Sequence, residues 1–541
     1  MKNTNKILSI GLLTMSLFTG TGCTELVDES YGKVISDQFV PETEADISYL
    51  VNAAYIPWRE TMLLWNGVVR SQELCADQDV IPARLGIGWV DGYIYKRWHQ
   101  HTWTTEDDGV LQGWERTFKG INTCNRILSQ IEDGFIQMDD ETKTNTVAEL
   151  KVLRASYYYI LVDLYGNVPI VTDFKDESLP KQSNRKDVFD FIVSEINENI
   201  NQLSETARGY YYGRFNKWAA YTLLAKMYLN SEVWTGTPQW DKCIEVCDKI
   251  IEFAESSGEY ALESNQKNIF LTENENSKEI IFALPFDEIY VTDWNAFDFH
   301  MYTLAPENQE TYLFTARPWG GVCAIPQFIE SFDEDDLRLR DNYIKGQQYT
   351  NAGDILQRSD GSGPLVYGLE VPSIDESDVD DGYRWGKFEY ANGITNRLSN
   401  DWPLFRYADV LMMKAESLMR SGKPGAGNLV TEVRKRAFED DAKAVVTDDQ
   451  LKGGSVYDYG RRDSYSNTNE GGSDIVYGRF LDELGWEFCQ EGRRRQDMIR
   501  FNVFTKKSWF SHDKSDDTKN LYPIPNKIML TNSNLKQNPG Y

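Results

Sequence analysis

The sequence predicts a mainly α protein: a scaffold of tetratricopeptide-like helical hairpins, broken by long irregular loop insertions with short strands. Three observations lead there. Apolar residues recur at spacings of three and four in several segments, the pattern of helices that bury one face. These segments stop at Gly and Pro, and small residues stand where a second helix would meet them. Between Ser256 and Asn400, and again between Glu439 and Tyr477, the periodicity dissolves into Gly, Asn, Asp, Ser and Tyr, the composition of long functional loops.

The helical segments follow in order. Glu149 to Tyr165 places Leu150, Leu153, Tyr157, Leu161, Leu164 and Tyr165 on one stripe and stops at Gly166 and Pro169. Val188 to Leu203 is a second helix. Lys217 to Leu229 is apolar almost all round, and Ala219, Ala220 and Ala225 allow a neighbouring helix to come close. Cys243 to Phe253 is a fourth. Tyr407, Leu411, Ala415 and Leu418 form a fifth stripe, ended by Gly422 and Pro424. Hairpins of this kind read as an α-solenoid whose repeat is degenerate, because no self-match at a period of about 34 residues emerges.

The N-terminus points to a compartment. Lys2 and Lys6 precede an apolar run, Ile7 to Phe18, that suits a signal-peptide core and is too short to span a bilayer. Gly20-Thr21-Gly22 then leads into Cys23, the residue that carries the acyl chains in a lipoprotein, although Gly20 stands where leucine is usual. Glu25, Asp28 and Glu29 lie just beyond it. The expectation is residues 1–22 as a lipoprotein signal peptide, 23–45 as a lipidated tether and no later membrane span.

Composition excludes several functions. A formal charge of −28 and a pI near 4.7 argue against nucleic acid, which requires clustered Lys and Arg, and against an anionic membrane surface. The seven cysteines are scattered, so no disulfide scaffold is expected; Cys243 and Cys247, one helical turn apart, read as buried thiols. The chain lacks H-E-x-x-H, C-x-x-C, a Walker loop, G-x-G-x-x-G and G-x-S-x-G. Its four histidines include His99 and His101, which could share a strand face and are expected to be structural. Ser373 to Gly382 fails as an EF-hand calcium loop and is expected to be a solvated acidic loop. Two carboxylates would suffice for a glycosidase, but among 84 acidic residues the sequence singles out no pair. No cofactor or metal is expected.

Four segments resemble the SusD/RagB family. Arg154-Ala155 with Tyr157 and Leu164-Tyr165-Gly166-Asn167-Val168-Pro169 is similar to its third-helix signature. Arg406-Tyr407-Ala408-Asp409-Val410-Leu411, with Ala415-Glu416, resembles its "RYADVLLMYAEA" helix. Glu487 with Glu491-Gly492-Arg493-Arg494, Asp497 and Arg500 is similar to its "EGxRxxDLxR" block, with Leu484, Gly485 and Trp486 departing from the basic run many members carry there. Tyr522-Pro523-Ile524-Pro525 to Gln537-Asn538-Pro539-Gly540-Tyr541 resembles its terminal "PIP…QNPGY". The charged hallmarks Glu487, Arg494, Asp497 and Arg500 are expected to be ion pairs that lock a turn. The resemblance implies one domain over 46–541. Its helical scaffold covers about 46–256, 400–438 and 479–541, and its variable ligand-binding loops about 75–105, 257–399 and 440–478. It also implies a non-catalytic lipoprotein on the outer face of the outer membrane, which captures a glycan for a TonB-dependent, SusC-like transporter. Some members bind peptides, and a hydrolase is the remaining alternative.

A sugar presents an apolar C–H face that stacks on an aromatic ring, while its hydroxyls need Asp, Asn, Arg or Gln at the edge. Two segments offer both. The first runs from Asp77 and Asp79 through Arg84 to Trp89 and Tyr93; it resembles the family's "DE…R…DWYDGG" loop, whose tryptophan often stacks on glycan. The second runs from Tyr290 and Trp294 to Arg317 and Trp319. Trp89 and Trp319, flanked by Gly and Pro in polar loops, are expected to be exposed, whereas Trp58, Trp114 and Trp218 are expected in the core.

Overall fold

The computed structural model describes residues 43–64, 66–84, 86, 89–293 and 296–541. Cys23 and Trp294 lie outside them. Nine helices open the described chain: α1 (Glu44–Ala53), α2 (Ile56–Leu63), α3 (Val68–Leu74), α4 (Ile94–His99), α5 (Asp108–Glu132), α6 (Asp140–Leu164), α7 (Arg185–Asn199), α8 (Lys217–Thr235) and α9 (Trp240–Ser257). Their starts follow capping chemistry. Asp139 accepts from the backbone N–H groups of Glu141 and Thr142, Asn184 from Asp187, and Asn216 from Trp218 and Ala219. Helix α6 therefore begins nine residues before the apolar stripe does. Its first turns are polar and solvated, so periodicity alone overlooks them.

Each long helix packs on the next. Helix α5 lies against α6, α6 against α7, α7 against α8, and α8 against α9. After a long excursion the chain returns as helix Tyr407–Arg420, which packs on α9 and then on Ala426–Arg434. Ala219, Ala220 and Ala225 are fully buried on α8, as small contact residues should be. The expected mainly helical scaffold with short strands is what forms.

A two-stranded ribbon closes the excursion. Strand Ile280–Leu284 pairs antiparallel with Trp402–Arg406, placing Phe282 opposite Phe405 and joining the two ends of residues 285–401 at the scaffold. Three further two-stranded antiparallel pairs pin the insertion: Asp79–Val80 with Cys323–Ala324, Tyr343–Ile344 with Arg384–Trp385, and Gly346–Gln347 with Val366–Tyr367. Between them lies an aromatic core in which Phe388 stacks on Trp402 at 5.3 Å and Phe297 and Phe299 meet both edge-on. Trp58 stacks on Tyr157 at 5.3 Å and donates its Nε1–H to Ser156, and Trp218 stacks on Phe253 at 3.7 Å. Trp58, Trp114 and Trp218 are core residues, as expected. The six described cysteines are buried and free, Cys243 and Cys247 included.

The charged hallmark residues reach across the chain instead of closing one local turn. Arg406 pairs with Glu279, Glu487 and Glu491, each at 2.8 Å, and Arg436 holds both Glu279 and Glu487. Arg338 adds Asp336 and Glu487, Arg500 pairs with Glu416 and Asp497, and Arg493 pairs with Asp409 and Asp497. All of these carboxylates are buried except that of Glu491, which is half-buried. Burial pushes the Glu487 carboxyl up, but the guanidiniums of Arg436, Arg406 and Arg338 outweigh it and hold Glu487 well below the usual range. The network ties the returning helices to the strand ribbon. No helix among the described residues is long and apolar enough to cross a membrane.

Candidate functional site

The loop after the third helix is built around a left-handed turn. Arg84 and Trp89 exchange backbone hydrogen bonds at 3.0 and 3.1 Å, and the chain then passes through φ values of 39°, 60° and 59° at Asp91, Gly92 and Tyr93. Two of these three residues carry a Cβ, so the turn is strained by on the order of 1–3 kcal/mol at each. The surroundings enforce it: Arg97 donates Nη1–H to the Gly92 carbonyl at 2.9 Å while its other nitrogens hold Asp107. The turn leaves Tyr93 50% exposed at the rim. Strain kept in this way suits a ring held out for contact.

Trp89 is half-buried, with its edge set against Tyr302 at 5.5 Å and Tyr95 at 6.0 Å. Behind Tyr302 lies Arg70, whose guanidinium sits 4.2 Å from that ring and is paired with the buried Asp298. The second predicted segment is tied to the backbone at Met301 and Tyr302. Trp319 donates its backbone N–H to Met301 at 2.7 Å, and Gly321 donates to Tyr302 at 3.0 Å. Gly321 has to be glycine, because a Cβ there would lie 2.1 Å from the Trp89 ring. Trp319 is half-buried against the core, and Arg317 is exposed, donating to Ser359 Oγ at 3.2 Å. Tyr290 stands on a turn in which Asp287 Oδ1 accepts from the Ile289 and Tyr290 N–H groups. It is 85% exposed and shares no ring contact with Trp89 or Trp319.

Three predicted ligand contacts are interior instead. Asp77 is fully buried, receiving the Arg494 fork at 2.7 and 2.9 Å and the Tyr459 hydroxyl at 2.6 Å. Asp79 is fully buried on its short strand and accepts from Trp385 Nε1 at 2.7 Å; burial, with Glu73 nearby, pushes its carboxyl well above the ordinary range. Arg84 is fully buried, donating to Gly321 O, Ser377 Oγ and the carbonyls of Asp378 and Asp381. Of the three, Arg84 ties the Trp89 loop to the Gly321 carbonyl, while Asp77 and Asp79 hold Arg494, Tyr459 and Trp385 in the interior. The acidic run 373–382 is correspondingly no solvated loop: it wraps Arg84, and Asp378 and Asp380 also pair with Arg358. Where a polar side chain stands near a loop tryptophan in sequence says nothing about which way it points, and only the fold separates interior from rim.

The histidines are structural. His99 lies at the end of α4 and His101 just beyond it, with no shared strand face. His99 Nε2 meets the Phe510 carbonyl at 2.6 Å, His101 Nε2 the Cys75 carbonyl at 2.8 Å, and His512 Nδ1 the His99 carbonyl at 2.6 Å. Burial pulls His99 down to about 4 and His101 to about 3, so both are neutral. No group of three or more potential ligands among the described residues could hold a metal ion. What sequence reasoning missed is the support behind Trp89: Tyr95, Tyr302, Arg70 and Asp298. Arg70 and Asp298 are 228 positions apart, and no local pattern links them.

Comparisons with known proteins agree with this fold. The profile of the SusD family matches residues 278–541, and one described as starch-binding associating with outer membrane matches residues 84–229. The starch-binding protein SusD of Bacteroides thetaiotaomicron is 25% identical over 482 residues, covering 81% of this chain and 80% of its own length. Among solved structures, a SusD superfamily protein from Parabacteroides distasonis superposes with a TM-score of 0.70 at 20% identity, over 93% of this chain and 100% of that one. Surface glycan-binding protein A from Bacteroides thetaiotaomicron, solved with laminarihexaose, gives a TM-score of 0.68 at 19% identity, over 92% and 100%. With two SusD-type profiles matched over residues 84–229 and 278–541, the chain belongs to the SusD/RagB family.

Proposed function

We propose that this protein is a non-catalytic, cell-surface glycan-binding lipoprotein that captures an oligosaccharide or polysaccharide and delivers it to a TonB-dependent, SusC-like transporter in the outer membrane. The observation that carries the reading is the set of loop-borne aromatics: Trp89 half-buried against Tyr302, Trp319 half-buried on the neighbouring segment, Tyr93 and Tyr290 exposed, and Arg317 exposed to meet hydroxyls. Rings fixed by packing bind a sugar face with little further ordering cost. Relatives named for starch and glycan binding support the same class of ligand. On this reading Cys23 supplies the lipid anchor, and Trp294 is a further proposed ligand contact.

Affinity electrophoresis across a polysaccharide panel tests the proposal. Trp89→Ala should weaken retention about tenfold, or about 1.4 kcal/mol. The triple replacement of Trp89, Trp294 and Trp319 should abolish it with melting held within a few degrees. A large fall in melting temperature for Trp319→Ala would make that residue core, and sustained release of new reducing ends would make the protein an enzyme. Detergent co-purification should recover a barrel partner, and Cys23→Ser should remove fatty-acid labelling.

A further inference from the structure

The helical side of the molecule carries a second concavity that the aromatic face does not use. It is a cleft of about 400 Å³, within the size range of small-ligand sites, between α1, α2 and the turn that precedes α8. That turn reads Gly209-Tyr210-Tyr211-Tyr212-Gly213: three tyrosines between two glycines with φ of 63° and 70°. Tyr212 is tied down by its hydroxyl to Asp401 at 2.7 Å, and Tyr55 by its hydroxyl to Glu149 at 2.6 Å. Tyr49 and Tyr210 are not spent in this way. They stand 73% and 52% exposed on the two walls. The Tyr210 ring rests on the Arg214 guanidinium at 4.4 Å and meets Tyr211 edge-to-face at 5.2 Å, contacts that fix it while half of it stays exposed.

The charge of the cleft is opposite to that of the protein. In a chain with 84 acidic and 56 basic residues, the cleft is lined by Arg59 and Arg214 and by no carboxylate. Arg214 is satisfied in part: it forks onto Glu149 at 2.8 and 2.6 Å, but its buried Nη1 has no partner. Arg59 is half-buried; its hydrogen bond to the Pro285 carbonyl is a long one, 3.4 Å, and its guanidinium lies 5.9 Å from the Phe286 ring. Glu60 and Asp293 are near enough to be felt, yet Glu60 is paired with Lys119 and neither forms an ion pair with Arg59. A partly desolvated guanidinium without an ion pair, lining one cleft with two exposed tyrosines, matches a sugar that bears a carboxylate. The rings take the C–H faces and the planar fork takes the acid.

We infer that the cleft between Tyr49 and Tyr210, with Arg59 at its floor, is a second saccharide subsite that accepts an acidic sugar unit. This rests on the glycan-binding reading above but uses none of the residues of the aromatic face. The test is affinity electrophoresis of the full chain in polygalacturonate, alginate and glucuronoxylan, with methyl-esterified pectin and the neutral panel as controls. Retention by at least one of the three uronans is expected. It should fall about tenfold in Arg59→Gln and in Tyr210→Ala, disappear on methyl-esterification if the ligand is the pectic one, and leave neutral-glycan retention unchanged. Equal melting curves for Arg59→Gln, which keeps a polar side chain in place, exclude misfolding. Neutral glycans retained with none of the three uronans, or uronan retention indifferent to both substitutions, overturns the second subsite alone. Retention of neither class sinks the glycan-binding reading as well.

Discussion

Gly321 shows how much a single residue decides at the aromatic face. Its missing side chain leaves room for the Trp89 ring, and the same residue's carbonyl receives two nitrogens of Arg84. Gly321→Ala would place a methyl 2.1 Å from a ring carbon, so either the ring or the backbone has to move. The expected result is a changed tryptophan fluorescence spectrum and glycan retention reduced to about the level of Trp89→Ala, a loss of ~1.4 kcal/mol. Unaltered fluorescence and retention would show that the ring has room to retreat. The same scale explains why Asp77, Asp79 and Arg84 are not ligand contacts. Each is fully buried, and an Asp whose oxygens face Arg494 and Tyr459 in the interior is out of reach of a sugar hydroxyl.

At the scale of elements, the buried ion pairs join parts of the chain that periodicity treats as separate. Glu487, near the end of helix Gly478–Phe488, touches Arg338, Arg406 and Arg436, which lie on three other stretches. Replacing such a pair by apolar residues can be neutral, but removing one partner leaves buried charge behind and typically costs about 3–5 kcal/mol. Glu487→Ala takes one carboxylate partner from each of three buried guanidiniums, so chemical denaturation should show a loss in that range. A loss under about 1 kcal/mol would mean that water or Glu279 and Glu491 take over the pairing. The ribbon of Ile280–Leu284 and Trp402–Arg406 belongs to the same assembly, since Arg406 is its last residue. An insertion of more than a hundred residues is thus held at its neck by backbone pairing on one side and by charge on the other.

For the whole molecule, the buried titratable groups oppose one another. His99, His101 and His300 are depressed by burial to about 4, 3 and 4, below an unfolded value near 6.5. Between about pH 6.5 and 4 the unfolded chain therefore binds more protons, and acidification subtracts stability. Glu73, Asp298 and Asp482 are raised by burial to about 7, 7 and 6, above unfolded values near 4. Over roughly the same window they bind more protons when folded, and acidification adds stability. The two sets offset each other down to about pH 4.5. Below that, carboxylates held low by arginines, such as Glu487 and Glu416, lose their contribution as they protonate. Melting temperature should change little from pH 7 to 5 and fall steeply below about 4.5. A steep fall between pH 7 and 5 would show that the buried acids stay ionised and the histidines dominate.

The sequence by itself determined the helical scaffold, the core tryptophans, the free thiols, the SusD/RagB membership and the two aromatic segments. Those properties are local or patterned: helix faces repeat every three to four residues, and the hallmark motifs are contiguous. It did not determine the start of α6, whose polar turns carry a cap but no stripe, nor which polar neighbours of Trp89 face the ligand. Only the tertiary structure decided that Asp77 would meet Arg494, that Arg84 would lie under residues 377–381, and that Arg70 and Asp298 would back Tyr302. Each of these pairs is separated by more than two hundred positions. A buried polar side chain is defined by a partner brought in from elsewhere in the chain, and one-dimensional patterns hold no record of that partner.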